Sequence, residues 1–169
     1  METKKALEGL KIAMQTELNG IEFYRLASEK TDDSKGKEVF KSLAEDEIKH
    51  FNELKRQYEH LLKENEWLSN VELGSPSILE GESPIFTEEL KSRIKERHFE
   101  MSALSIGALL ETNSIDFYRK MKEEANDPVA RELFGKLQEW EQRHLSAITK
   151  QMDLLKEDFW ADAQFTPLY

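Results

Sequence analysis

Apolar residues recur at three- and four-residue spacing along most of this chain, within stretches rich in Glu, Lys and Leu. That is the period of an amphipathic helix. The pattern predicts four long helices, over 4–30, 35–64, 100–125 and 128–157. They are separated by breaks where Gly, Pro, Asn, Asp and Ser gather: "DDSKG" (32–36), "ANDP" (125–128) and the long "SNVELGSPSILEGESPIF" (69–86). Two short turns make two antiparallel hairpins. The connection between the hairpins, about 65–99, is too long for a turn. At about 3.3 Å per extended residue it can run the length of a bundle. That leaves helices two and three parallel with a crossover between them, or a hairpin exchanged with a second chain. Within the connection, Thr87 followed by two acids reads as the cap of a short helix over 87–98, or of an early start to the third helix.

The second hairpin repeats the first. "TELNGIEFYR" (16–25) and "LETNSIDFYR" (110–119) share a register, and adding 94 to a position in one hairpin gives its partner in the other without a gap. Glu17 pairs with Glu111, Tyr24 with Tyr118, Phe40 with Phe134, Leu43 with Leu137, Glu47 with Glu141 and His50 with His144. Two copies of one helical hairpin predict an all-α four-helix bundle with a pseudo-two-fold axis, formed by residues 1–169 as one domain.

The repeated acids fall in an unexpected place. At about 100° per residue, Leu10, Ala13, Met14, Ile21 and Tyr24 all lie within about 60° of Glu17. Glu17 is therefore central in an apolar stripe. Leu104, Ala108, Ile115 and Tyr118 surround Glu111 likewise. Val39, Leu43, Leu54 and Leu61 share a face with His50, and Leu133, Leu137, Ile148 and Leu155 with His144. Glu47 and Glu141 each lie one turn before the His on the same side. Four carboxylates and two imidazoles thus point at one core. A buried, unpaired carboxylate costs several kcal/mol, and no Lys or Arg occupies these stripes near the six positions. A pair of metal ions would neutralise them. Oxygen and imidazole donors without sulfur suit iron and manganese, with zinc also able to bind.

Composition removes the alternatives. The chain has no cysteine, so disulfides, thiolate metal sites and cysteine nucleophiles are excluded. Its net charge of −10 is spread along the sequence and argues against nucleic acid. The longest apolar run, "ALSIGALL" (103–110), is too short to span a bilayer, and "METKKALEGL" lacks the apolar core of a signal peptide. The expectation is a cytoplasmic protein with neither membrane nor nucleic-acid partners. His60 and His98 lie off the repeat and read as surface residues. "KSRIKERH" (91–98) reads as a solvated basic face able to dock an acidic electron donor, and "DFWADAQFTPLY" (158–169) as an aromatic tail that packs on the bundle or on a second subunit.

One Glu from each of two helices plus a Glu-x-x-His from each of the others is the ligand set of carboxylate-bridged di-metal bundles. Glu17 with "EIKH" (47–50), then Glu111 with "EQRH" (141–144), resembles the di-iron domain of rubrerythrins within the ferritin-like superfamily. The resemblance spans both hairpins. It implies two iron ions per chain held by Glu17, Glu47, His50, Glu111, Glu141 and His144, with chemistry toward peroxide or O₂. It also brings the alternative of ferritin-type iron oxidation and storage, and a homodimer, hairpin-swapped or not, as the expected assembly. A hydroxylase acting on an organic substrate fits less well, because quinone-directed members need an apolar membrane-facing helix.

Three departures stand out. Rubrerythrins usually carry a four-cysteine rubredoxin domain, absent here, so no rubredoxin iron is expected and electrons would come from a separate donor protein. Their extra glutamate one turn after the third-helix ligand is Ser114 in this chain. Bacterioferritins place a haem-binding Met where this chain has Ile48, so no haem is expected. Around the ligands, Tyr24 and Tyr118 lie two turns beyond Glu17 and Glu111, within reach of a carboxylate. Asp46 is placed to hold the ring of His144, whereas the matching position for His50 is Trp140, which cannot accept a hydrogen bond. The two metal positions are therefore expected to differ.

Overall fold

The computed structural model describes residues 3–75, 77 and 98–162. Four helices form: α1 (Thr3–Lys30), α2 (Ser34–Glu64), α3 (His98–Glu124) and α4 (Pro128–Asp162). Three of them match the periodicity to within two residues at each end. α4 runs on to Asp162, so the backbone of the predicted tail begins as helix. The short helix expected over 87–98 lies outside the described residues, as does most of the basic stretch 91–98. His98 already belongs to α3.

The caps repeat as the sequence does. The Asp33 carboxylate accepts from Gly36 N at 2.7 Å, and its counterpart Asp127 accepts from Val129 N at 2.8 Å ahead of Pro128. Each satisfies an orphan donor of a helical first turn, and Pro at the first helical position loses no bond. α2 ends at Asn65 in the left-handed region (φ 57°), whose N–H returns to Leu61 O. Asn tolerates that conformation better than other side-chain-bearing residues.

α1 packs on α2 and α3 on α4 as two tight hairpins. Gly9 lies against Met121, and Gly107 against Tyr24, so α1 and α3 run antiparallel. Since α1 also reverses into α2, helices two and three are parallel, as a crossover requires. The described part of the connection shows the crossover under way. The Gln57 side chain brackets Leu68, donating to its O and accepting from its N, both at 3.1 Å. Arg56 reaches Asn70 O, and Lys49 reaches Ser75 O at 3.0 Å. The segment therefore climbs back along α2, seating Val71 and Leu73 in the core. At the start of α3, Thr31 Oγ1 donates to the buried Glu100 at 2.7 Å and ties α3 to the α1–α2 turn.

Two apolar clusters fill the bundle, with the six repeated ionisable groups between them. One gathers Leu10, Leu54, Leu61, Leu133, Phe134 and Leu137, and the other Tyr24, Phe40, Leu43, Leu104, Ile148 and Leu155. Among the described residues no helix is long and apolar enough to cross a membrane.

Candidate metal centre

Glu17, Glu47, His50, Glu111, Glu141 and His144 are all buried, and the packing of the two hairpins brings all six together. Each comes from the middle of a long helix, where the backbone is pinned on both sides by regular hydrogen bonds. Their donor atoms form two overlapping groups, Glu17–Glu47–His50–Glu141 and Glu47–Glu111–Glu141–His144, each spanning no more than 4.8 Å. Glu47 and Glu141 belong to both. His50 Nδ1 lies 3.0 Å from Glu47 Oε2, 3.1 Å from Glu141 Oε1 and 3.4 Å from Glu17 Oε2. His144 Nδ1 lies 3.5 Å from Glu141 Oε2, 3.6 Å from Glu47 Oε1 and 3.7 Å from Glu111 Oε2. Each bridging glutamate thus turns one oxygen to each histidine.

The cluster fits a metal pair on its own geometry. Metal–ligand bonds of about 2.0–2.2 Å place neighbouring donors roughly 3 Å apart; the His50 contacts of 3.0, 3.1 and 3.4 Å match this, and those of His144 are wider at 3.5, 3.6 and 3.7 Å. Glu141 Oε1 and His144 Nδ1 are buried without a hydrogen bond although carboxylate and imidazole atoms surround them. Buried polar atoms rarely go unpaired, and atoms that crowd without bonding one another are aimed at a common third body.

Metal ions are the counter-charge that the sequence argument calls for, and without them the field of the cluster favours protons. Burial, then the charges of Glu47 and Glu141, hold the Glu17 carboxyl well above the usual range. Burial and the Glu141 charge do the same to Glu111. Burial and the Glu141 charge would also lift Glu47, but the adjacent His144 and His50 bring it below its ordinary value. Against the same burial, Glu111, His144 and His50 hold Glu141 well down. Burial disfavours the imidazolium, yet the surrounding carboxylates raise both His50 and His144 well above the usual histidine range. These shifts draw protons to Glu17, Glu111, His50 and His144 in the metal-free cluster, the direction that offsets its negative charge.

The tyrosines cross between hairpins. Tyr24 O–H donates to Glu111 Oε1, and Tyr118 O–H donates to Glu17 Oε1. Burial and the adjacent carboxylates push both phenols well above their ordinary range, so they remain donors. Each ring stacks on a phenylalanine of its own hairpin, Tyr24 on Phe40 at 6.4 Å and Tyr118 on Phe134 at 6.2 Å. Asp46 Oδ2 meets His144 Nε2 at 3.3 Å, and Trp140 sets its ring edge-on to His50 at 5.0 Å.

Several participants escaped the sequence reading. Lys49 and Ser77 both bond Asp46. Lys49 sits three residues away on the same helix and was legible, but Ser77 lies in irregular chain. Glu53 and Gln57 are buried on the His50 stripe and anchor the connection, and the helical step already placed them there. Glu100 is buried too, on the Glu111 stripe. His60, expected at the surface, is half-buried. The side chain of His98 lies outside the described residues.

A cavity of about 210 Å³ opens over the carboxylates between α1 and α3. Its walls include the repeat pairs Asn19/Asn113 and Gly20/Ser114, and both asparagines are exposed at its rim. Two small residues at matching positions leave this space. A Cβ on Gly20 would stand 3.3 Å from Glu47 Cγ. Gly20→Ala is therefore expected to displace a bridging carboxylate and weaken metal binding about tenfold, read by competition with a chelator. Unchanged affinity would show that Glu47 yields without cost.

Comparison with curated proteins and with solved structures gives no match. The Rubrerythrin family model matches residues 8–152, a span that takes in both hairpins and all six clustered residues. The chain belongs to the rubrerythrin family, a ferritin-like di-iron family.

Proposed function

We propose that this chain binds two iron ions and reduces peroxide or O₂ with electrons delivered from outside these 169 residues. The observation that carries this reading is the pair of overlapping ligand groups sharing Glu47 and Glu141, buried beneath a cavity that reaches the surface. Glu17, Glu47, Glu141 and His50 would hold one ion, and Glu111, Glu47, Glu141 and His144 the other. Manganese or zinc could take the same donors. A bound iron pair supplies two-electron reduction at neighbouring centres.

The protein's part is placement, exclusion and proton supply. Shared carboxylates set the separation of the two positions. Tyr24 and Tyr118 fix one oxygen of Glu111 and Glu17, leaving the other free to ligate. The same O–H groups are proton donors beside the cavity floor, and Tyr24 lines the cavity itself. The apolar clusters on both sides keep bulk water from the ligands. The cavity admits a small oxidant through the asparagine rim. Apolar side chains exposed on α1 (Ile12, Leu26) and α3 (Ile106, Leu109) support a homodimer.

The test is anaerobic loading with ferrous iron, metal analysis, and reoxidation by peroxide or by O₂. Two irons per chain, oxidised faster by peroxide, are expected. Uptake of iron far beyond two per chain by a large hollow assembly would replace this reading with iron storage. Failure to bind iron would end it.

A further inference from the structure

The two halves of the centre are not equivalent, and the difference lies in how each histidine is held behind the cluster. His144 turns Nδ1 inward and Nε2 outward, where Asp46 Oδ2 stands at 3.3 Å. Asp46 is itself clamped. Ser77 N donates to both of its oxygens at 3.0 Å, Ser77 Oγ to Oδ1 at 2.6 Å, and Lys49 Nζ to Oδ1 at 2.8 Å. Lys49 also holds Ser75 O and Ser77 Oγ, at 3.0 and 3.2 Å. The crossing segment thus locks Asp46, and Asp46 locks the ring. With Nε2–H donated to Asp46, loss of the other proton leaves Nδ1 as a lone pair facing the carboxylates, which is the tautomer a metal needs.

His50 has no such support. Its Nδ1 bonds Glu47 Oε2 at 3.0 Å, while Nε2 is buried with no hydrogen-bond partner among the described residues. The repeat puts Trp140 where an acceptor would stand. For Nδ1 to ligate it must give up its proton, and the proton left on Nε2 is a buried donor without an acceptor among the described residues.

We infer that the two metal positions fill in order, the His144 position first, with Asp46 as its positioning residue and Trp140 as the reason the His50 position is weaker. This rests on the di-metal reading. Loss of an outer partner of a ligating histidine typically lowers metal affinity 10- to 100-fold, and the two positions should differ by that ratio.

The experiment is a Co²⁺ titration of the full chain, with ligand-field absorption giving the steps and native mass spectrometry giving the species. At one equivalent, two equal and independent positions leave half of the chains singly loaded. A tenfold difference raises that to about two thirds, and a hundredfold one to above four fifths. His144→Ala should abolish the first step, and His50→Ala should leave it intact. Asp46→Asn should merge the two steps by weakening the first. Trp140→Glu, which offers His50 an acceptor, should merge them by strengthening the second. The His variants carry the test should either merging variant misfold. Equal steps in the parent chain, or a first step lost with His50, overturn the inference and leave the di-metal reading standing. No cobalt uptake at all overturns both.

Discussion

Glu141→Leu will empty both metal positions together, whereas Glu17→Leu will empty the His50 position first. Glu141 directs Oε1 at His50 and Oε2 at His144, so its loss takes a donor from each group. Glu17 belongs to one group only. The affinity loss at both positions should exceed the 10- to 100-fold seen when only a supporting contact is removed. Folding should survive. A buried carboxylate that must be neutralised contributes little net stability, and replacing such groups by apolar ones is often neutral or stabilising by about 1–4 kcal/mol. Near pH 8 the histidines can shed their protons at little cost once the acid is gone. Metal-free Glu141→Leu should therefore melt no lower than the metal-free parent. The parent alone should gain stability from metal, about 2.7 kcal/mol per ion at a hundred times the dissociation constant. Thermal melts with and without Mn²⁺, beside metal analysis, read both effects. Two ions per chain retained by Glu141→Leu would refute the bridging assignment.

Metal uptake will release protons, about four for two divalent ions near pH 6. Ligation needs two neutral imidazoles and four carboxylates. In the metal-free cluster the surrounding carboxylates draw protons to His50 and His144, and burial and neighbouring charge draw them to Glu17 and Glu111. Exchanging four protons for two doubly charged ions leaves the core's charge unchanged, so the exchange meets no new desolvation cost. Affinity at each position should therefore climb about tenfold per pH unit for each proton released. The slope flattens above the raised histidine values.

Metal-free stability has the opposite sign. A histidine raised by folding stabilises fully below its unfolded value and loses that contribution as pH rises through the folded value. The raised Glu17 and Glu111 act in the same direction. Asp46, Glu47 and Glu141 are lowered on folding, so they stabilise above their unfolded values and lose that contribution only in acid. From about pH 6.5 upward, the metal-free melting temperature should fall while the gain from metal grows. Calorimetric titration in buffers of differing ionisation enthalpy counts the protons. Release near zero at pH 6 would mean the cluster is not neutralised by protons.

The helices and their inward acids were readable because helical periodicity is local. A step of about 100° per residue assigns a face to each position without reference to the rest of the chain. The same step places Glu53, Gln57 and Glu100 inside, but the repeat does not mark Glu53 and Glu100, whose partners are Ala147 and Ala6. Ser77 was beyond reach. It sits in a segment without periodicity, and its contact with Asp46 closes over 31 residues of chain. The space beside Ser114 was likewise invisible, since a cavity depends on how closely α1 and α3 approach.

From sequence alone came two matching hairpins, six ionisable groups turned inward, and an acceptor behind only one of the two histidines, because facing and repetition are properties of a helix by itself. Tertiary structure decided that one chain's two hairpins bring the six groups within bonding distance. It also decided which carboxylates serve both histidines, that the crossing segment clamps Asp46, and that the metal-free centre draws protons. Those outcomes turn on distances between elements and on the field of all the charges together, and neither exists until the helices have packed.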